Sequence, residues 1–116
     1  RCEVRAGPGG DGGVFLRTPF DIRNRAAGPA PPEVQVLEES LTEDSPTGSV
    51  MPHRRAFGGP VLKPWAWHAL KVAAVGSRVD VWVDERPVSE VRLPPDRRAG
   101  GHLALQSWLA GKVVEY

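Results

Sequence analysis

Short runs in which hydrophobic and polar residues alternate recur along this chain of 116 residues, separated by glycine and proline. The clearest alternation is in residues 33–38, where Glu33 and Gln35 are interleaved with Val34 and Val36. Because successive side chains of a strand point to opposite faces, the two valines share one face and the two polar side chains share the other. No segment repeats its hydrophobic residues with the period of a helix. The pattern therefore predicts many short strands joined by turns, which is typical of a β-sandwich or β-barrel.

A β-hairpin is predicted from Trp67 to Val83. Gly76 and Ser77 form its two-residue turn, because glycine accepts the positive φ that a type II′ turn requires. A second tight turn is predicted at residues 84–85. Further strands are predicted at residues 2–5, 13–18, 47–51, 87–91, 101–106 and 112–116. The longer connections are one proline-rich segment and two polar loops, at residues 21–32, 39–46 and 94–101.

Composition and charge limit the classes of protein to which the chain can belong. Its length fits a single domain, residues 1–116. The net charge of +1 gives no electrostatic basis for binding nucleic acid, and no apolar run approaches the roughly 20 residues of a membrane span. One cysteine, Cys2, excludes an internal disulfide bond.

The chain begins within a predicted strand and ends on another, so we expect it to be incomplete at both ends. The oligomeric state is left open.

Six polar or aromatic side chains point outward if each predicted strand packs its hydrophobic face inward. In residues 101–106, for example, Leu103 and Leu105 are predicted to face the core. The outward side chains are Arg17, Glu33, Gln35, Trp82, His102 and Gln106. Gathered over one concave sheet, they would form a polar cleft with an aromatic platform. Such a cleft suits a carbohydrate, whose hydroxyl groups need polar partners and whose C–H face can stack on a ring.

Each of these residues also has a structural interpretation that the sequence leaves open. Trp82 would then pack under a loop, and His102 would be an ordinary surface histidine. Arg17 and Glu33 would form a cross-strand ion pair, which contributes little to stability at a surface. The strand that carries Glu33 and Gln35 would simply have a solvated outer face.

Six segments, in this order along the chain, resemble motifs of one protein family. They are residues 13–17 (the family's SGVFLR), 33–38 (YEVQILD), 47–50 (TGALY), 67–72 (EWN and the strand after it), 81–85 (WLNG) and 101–106 (GYIGLQ). The family is the 3-keto-disaccharide hydrolase domain. The chain departs from the family pattern at four places: Asp11-Gly12-Gly13 for Asn-Ser-Gly, His68 for Asn, Asp84-Glu85 for Asn-Gly, and Ser107-Trp108 for a polar residue and His.

The resemblance implies a fold, an activity and a location. The fold is an all-β, antiparallel jelly-roll β-sandwich of the concanavalin A-like type, here without some N-terminal strands. The activity is that of a hydrolase of the elimination and hydration type, which acts on 3-keto-glycosides at the polar cleft. The partner is a carbohydrate, and the location is extracytoplasmic, either periplasmic or secreted.

The predicted catalytic residues are Glu33 and His102. A ketone at C3 of the sugar makes the C2 proton acidic, and Glu33 would act as the base that removes it. His102 would protonate the leaving oxygen, while Arg17 or Gln106 would polarise the ketone oxygen. The predicted substrate-binding residues are Arg17, Gln35, Trp82 and Gln106.

Other functions remain open on the sequence. A non-catalytic carbohydrate-binding module of the same fold is the main alternative, since fold does not fix function; a purely structural sandwich within a larger exported protein is another. An ordinary glycosidase with two carboxyl groups is disfavoured, because Glu33 and Glu38 lie on opposite faces of an unbroken strand. The sequence requires no cofactor, although Glu33, His102 and another oxygen ligand would also suit a divalent metal.

Overall fold

The computed structural model describes residues 1–19, 30–38, 45–58, 61–95, 100–108 and 110–116, which contain strands, turns and loops but no helix. In chain order the strands are β1 (Cys2–Ala6), β2 (Asp11–Thr18), β3 (Glu33–Leu37), β4 (Val50–Met51), β5 (His68–Val75), β6 (Arg78–Val83), β7 (Arg86–Arg92), β8 (His102–Ser107) and β9 (Val114–Glu115). The predicted all-β class is confirmed. Among the described residues there is no helix with the length and hydrophobicity needed to span a membrane.

Two of the predicted strands are shorter than expected. The strand predicted at residues 47–51 is reduced to β4, and the strand predicted at residues 112–116 is reduced to β9. The connections predicted at residues 21–32, 39–46 and 94–101 lie in large part outside the described residues.

Two antiparallel sheets form the sandwich. One has five strands in the order β7-β6-β5-β1-β9, and the other has four in the order β4-β3-β2-β8. Valines from both inner faces dominate the core between the sheets, and fully burying each of them contributes about 1.5 kcal/mol. The core includes Val4, Val14, Leu16, Val34, Val36, Val50, Leu70, Val79, Val81, Val83 and Val88.

The register of the four-stranded sheet fixes which residues share its outer face. Gly13 of β2 lies opposite Gln35 of β3 on one side and opposite Gln106 of β8 on the other. Val34 and Val36 are fully buried, so the alternate residues of β3 point away from the core. The polar side chains of three adjacent strands therefore meet on one surface.

The two predicted turns flanking β6 are confirmed, and they differ in backbone geometry. Gly76 has φ of 55°, as the first central residue of a type II′ turn requires. Asp84 and Glu85 both have positive φ, 48° and 65°, which is the backbone of a type I′ turn without its usual glycine. The Asp84 carboxylate compensates by accepting a hydrogen bond of 2.9 Å from the backbone N–H of Ala69.

Replacing Glu85 with glycine should stabilise the protein by about 0.5–1 kcal/mol, because glycine adopts positive φ without the steric cost that a side chain incurs. Urea denaturation of both proteins measures the difference. The control is Ser77→Gly in the other turn, where φ is not positive; added chain entropy should make that variant less stable. Destabilisation by Glu85→Gly would contradict the expectation.

The prediction that Leu103 and Leu105 belong to the core is wrong. Leu105 lies opposite the buried Val14, so it is on the inner side of the sheet, yet Leu103 and Leu105 are 72% and 60% exposed. The reason is topological, because β8 is an edge strand of the four-stranded sheet. The described part of the chain leaves the two inner-facing leucines of β8 largely uncovered.

Candidate active site

The centre of the candidate site is the carboxyl group of Glu33 on the outer face of the four-stranded sheet. Glu33 is opposite Phe15 of β2, and its side chain turns back across the neighbouring glycine, Gly13. A Cβ atom at Gly13 would lie 2.2 Å from Glu33 Oε1. Glycine is therefore needed at this position to leave room for the carboxyl group. The carboxyl group consequently lies over the middle of the sheet instead of extending into solvent.

The surroundings of Glu33 favour its protonated form. Partial burial raises the pKa of Glu33, and the negative charge of Asp11 raises it further, to about 6. A carboxyl group with this pKa is largely ionised at neutral pH, but it remains a stronger base than an ordinary glutamate. This is the property that proton abstraction in an active site requires.

Two amide side chains flank this carboxyl group along one row of the sheet. Gln35 and Gln106 lie on either side of Gly13, in the strands that neighbour β2. Adjacent strands are about 4.8 Å apart, so β3 and β8 are separated by roughly 10 Å across this row. The carboxyl group of Glu33 thus lies over a gap bordered by two amides, each of which can donate and accept hydrogen bonds.

Asp11 orients one of these amides. The Gln35 side chain is 9% exposed, and its Nε2 donates a hydrogen bond of 2.7 Å to Asp11 Oδ1. Asp11 begins β2 and has the same strand parity as Gly13 and Phe15, so it faces the same surface. Asp11 was not among the predicted site residues, because the strand was predicted to begin at residue 13, whereas β2 begins at Asp11.

His102 also lies on this face. It has the same parity as Ala104 and Gln106 along β8, and it pairs with Thr18. Its position is therefore at the edge of the candidate site, on the far side of β2 from Glu33. Of the six residues predicted to point outward, four share this surface: Glu33, Gln35, His102 and Gln106.

Arg17 does not share this surface. The register between β2 and β8 shifts between Phe15 and Thr18, and Arg17 has φ of 57° at this irregularity. Its guanidinium donates a hydrogen bond to the backbone carbonyl of Gly76, in the β5–β6 turn of the opposite sheet. The bulge reverses the direction that simple alternation predicts, so the placement of Arg17 in the cleft, and its pairing with Glu33, are corrected.

Trp82 lies on the opposite side of the sandwich. Its neighbours Val81 and Val83 are fully buried in the core, so Trp82 points away from it, on the outer face of the five-stranded sheet. There Lys71 Nζ lies 4.6 Å from the centroid of the indole ring. The prediction that Trp82 supplies the aromatic platform of the cleft is therefore corrected. Phe15, opposite Glu33, is an aromatic residue on the candidate face.

Tyr116 supports the site from the inner side of the sheet, where it packs against the core. Its hydroxyl donates to the backbone carbonyl of Gln106 at 2.6 Å and lies 3.1 Å from that of Gly13. Burial, above all, raises the pKa of Tyr116 to about 12, so the phenol stays neutral at physiological pH. The hydroxyl thereby connects the two strands that carry Gly13 and Gln106. No pattern in the sequence assigned Tyr116 to the site.

A metal site is not apparent in the described part of the chain. No group of three or more His, Cys, Asp or Glu side chains there could hold a metal ion together. Glu33 and His102 are separated by the whole width of β2, which does not suit the shared metal considered from the sequence.

Comparison with known proteins supports both the fold and the motif resemblance. The structure is similar to the crystal structure of a putative glycosyl hydrolase from Parabacteroides distasonis ATCC 8503, with a TM-score of 0.73 and 15% sequence identity over 97% of this chain and 70% of that chain. At this identity the similarity shows the fold alone. No curated protein matches the chain. A family model described as the 3-keto-alpha-glucoside-1,2-lyase-like domain matches residues 1–116. The resemblance drawn from the six motifs is confirmed, and the chain belongs to the family of 3-keto-alpha-glucoside-1,2-lyase-like domains.

Proposed function

We propose that this domain cleaves 3-keto-glycosides by elimination followed by hydration, with Glu33 as the base. The observation that supports the proposal is the Glu33 carboxyl group, held over Gly13 with a pKa raised to about 6. The family is carbohydrate-related. An extracytoplasmic location belongs to the same proposal, since it was implied by the family resemblance.

In the proposed reaction Glu33 removes the proton at C2 of the sugar. The electron pair of the C2–H bond passes first to the C3 ketone oxygen, as an enolate, and then forms the C1–C2 double bond while the C1–oxygen bond breaks. In this reaction the amide N–H groups of Gln106 and Gln35, which lie on either side of Gly13, would stabilise the enolate oxygen, the role first assigned to Arg17 or Gln106. His102 is the candidate donor of the proton that the leaving oxygen takes. Addition of water across the double bond then gives free 3-keto-glucose.

The alternative is a non-catalytic carbohydrate-binding module. That function predicts a fully solvated Glu33 beside an exposed aromatic side chain. Glu33 is instead partly buried, with a pKa raised to about 6. These observations favour catalysis over binding alone.

Incubation with a 3-keto-disaccharide tests the proposal, and free 3-keto-glucose is the expected product. The matched control is the same disaccharide before oxidation at C3. Without the ketone the C2 proton is not acidic, so this compound should not be cleaved. Cleavage of both compounds would indicate an ordinary glycosidase, and cleavage of neither would overturn the proposed activity.

A further inference from the structure

Asp11 is a charged residue of the candidate site to which the proposed reaction assigns no step. Its carboxylate accepts the 2.7 Å hydrogen bond from Gln35, and its charge acts on Glu33. The family pattern quoted above has asparagine at this position. An asparagine could accept the same hydrogen bond through its side-chain oxygen, but it would carry no charge.

We propose that Asp11 is a positioning residue of the site, which fixes the Gln35 amide and places a negative charge on the face that carries the Glu33 carboxyl group, so that the activity of the site depends on this charge. The catalytic part of this inference rests on the proposed function. The effect of the Asp11 charge on Glu33 does not depend on the proposed function, because it is a property of two neighbouring carboxyl groups.

The hydrogen bond explains how Asp11 would fix the amide. Gln35 is largely buried, and one of its two side-chain N–H bonds is directed at Asp11 Oδ1. With that bond made, the amide cannot exchange its oxygen and nitrogen positions without losing it. The second N–H and the carbonyl oxygen of Gln35 therefore keep a constant orientation beside the Glu33 carboxyl group.

Charge explains the effect on Glu33. Two carboxyl groups that share a partly desolvated surface repel each other when both are charged, so the negative charge of Asp11 favours the protonated form of Glu33. Glu33 turns across the sheet over Gly13, on the face that Asp11 also occupies. Removing the Asp11 charge would therefore favour ionisation of Glu33.

Few other charged groups face Glu33 from the neighbouring described strands. Met51, opposite Glu33 on β4, is uncharged. Tyr116 is neutral at physiological pH, and the Arg17 guanidinium is directed to the opposite sheet. Among the residues of β2, β3, β4 and β8, His102 is the other titratable side chain on this face, and it lies beyond β2. Asp11 is therefore the charge whose removal tests the proposal most directly.

The decisive variant is Asp11→Asn, which removes the charge and keeps an acceptor for Gln35. Titration of the Glu33 side-chain carboxyl by carbon-13 NMR should show a midpoint below the wild-type value. The acid limb of the pH profile of kcat/KM for a 3-keto-disaccharide, which reports the free enzyme, should move in the same direction, so that kcat/KM at pH 5 exceeds the wild-type value. Asp11→Ala should shift Glu33 similarly and also raise KM, because the amide is no longer held.

The control is Asp80→Asn on the outer face of the five-stranded sheet, which should leave the Glu33 midpoint unchanged. An unchanged Glu33 midpoint in Asp11→Asn would overturn the inference, regardless of the activity of that variant. A shifted midpoint with an unmoved pH profile would overturn its catalytic part. If the wild type fails to turn over the 3-keto-disaccharide while the midpoint shifts as expected, the proposed function fails and the charge effect of Asp11 stands.

Discussion

Replacing Glu33 with glutamine should lower turnover of a 3-keto-disaccharide by about 10²–10⁴-fold, the usual contribution of a positioned general base. Glutamine preserves the length and shape of the side chain over Gly13, but it cannot accept a proton at C2. Binding should change less than turnover, so the loss should appear mainly in kcat. The measurement is steady-state release of 3-keto-glucose at a pH above 7, where the wild-type carboxyl is ionised.

The same substitution should make the protein more stable at neutral pH. The folded-state pKa of Glu33 is raised, from about 4.5 to about 6, so the folded protein binds this proton more tightly than the unfolded chain. The contribution of Glu33 to wild-type stability is therefore largest below pH 4.5, and it is lost as the pH rises from 4.5 to 6. Because Glu33 is only partly buried and is thus screened by solvent, we expect Glu33→Gln to raise the free energy of unfolding at pH 7 by at most about 1 kcal/mol.

The control for both effects is Glu3→Gln, the same chemical change at an exposed position of β1, in the opposite sheet. It should change neither turnover nor the dependence of stability on pH between 4.5 and 6. Full activity in Glu33→Gln would show that another group is the base. A loss of stability at pH 7 in that variant would show that the carboxylate makes favourable contacts instead of being held at a cost.

Local sequence patterns were sufficient to predict the positions of most described strands and the two tight turns, although not the exact bounds of β2, β4 and β9. Val34 and Val36 are buried, as the alternation in β3 requires, and the turn at Gly76 has the positive φ expected of it. These features depend only on residues close together in the chain. Glu33, Gln35 and Gln106 share a surface for the same reason, combined with the adjacency of their strands to β2.

The errors arose where long-range structure decides the outcome. A period of two separates inward from outward side chains, but a sandwich has two outer faces, and the period does not say which of them Trp82 occupies. A single irregularity in β2 was enough to redirect Arg17 to the other sheet. Leu105 faces inward as predicted, but its exposure depends on what lies across from an edge strand, which no local pattern contains.

Removing the carboxyl group of Glu38 should destabilise the protein, whereas removing that of Glu33 should stabilise it. The two residues are five positions apart on the same segment. Glu38 is 4% exposed, and its Oε2 accepts a 2.8 Å hydrogen bond from the backbone N–H of Gly9. Its own N–H donates to the carbonyl of Gly10 at 2.9 Å. Replacing Glu38 with alanine removes the acceptor and leaves a buried N–H without its partner, which should cost about 2–3 kcal/mol.

Urea denaturation of Glu38→Ala at pH 7 measures this cost, and Glu38→Gln is the matched control. Glutamine retains an oxygen that can accept from Gly9, so its loss should be clearly smaller than that of alanine. A loss below about 0.5 kcal/mol in Glu38→Ala, the range of an ordinary surface substitution, would mean that the loop at Gly9 does not depend on this carboxylate. The expected pair of results, a more stable protein without the Glu33 charge and a less stable one without Glu38, would separate a carboxyl group retained for chemistry from one retained for the fold.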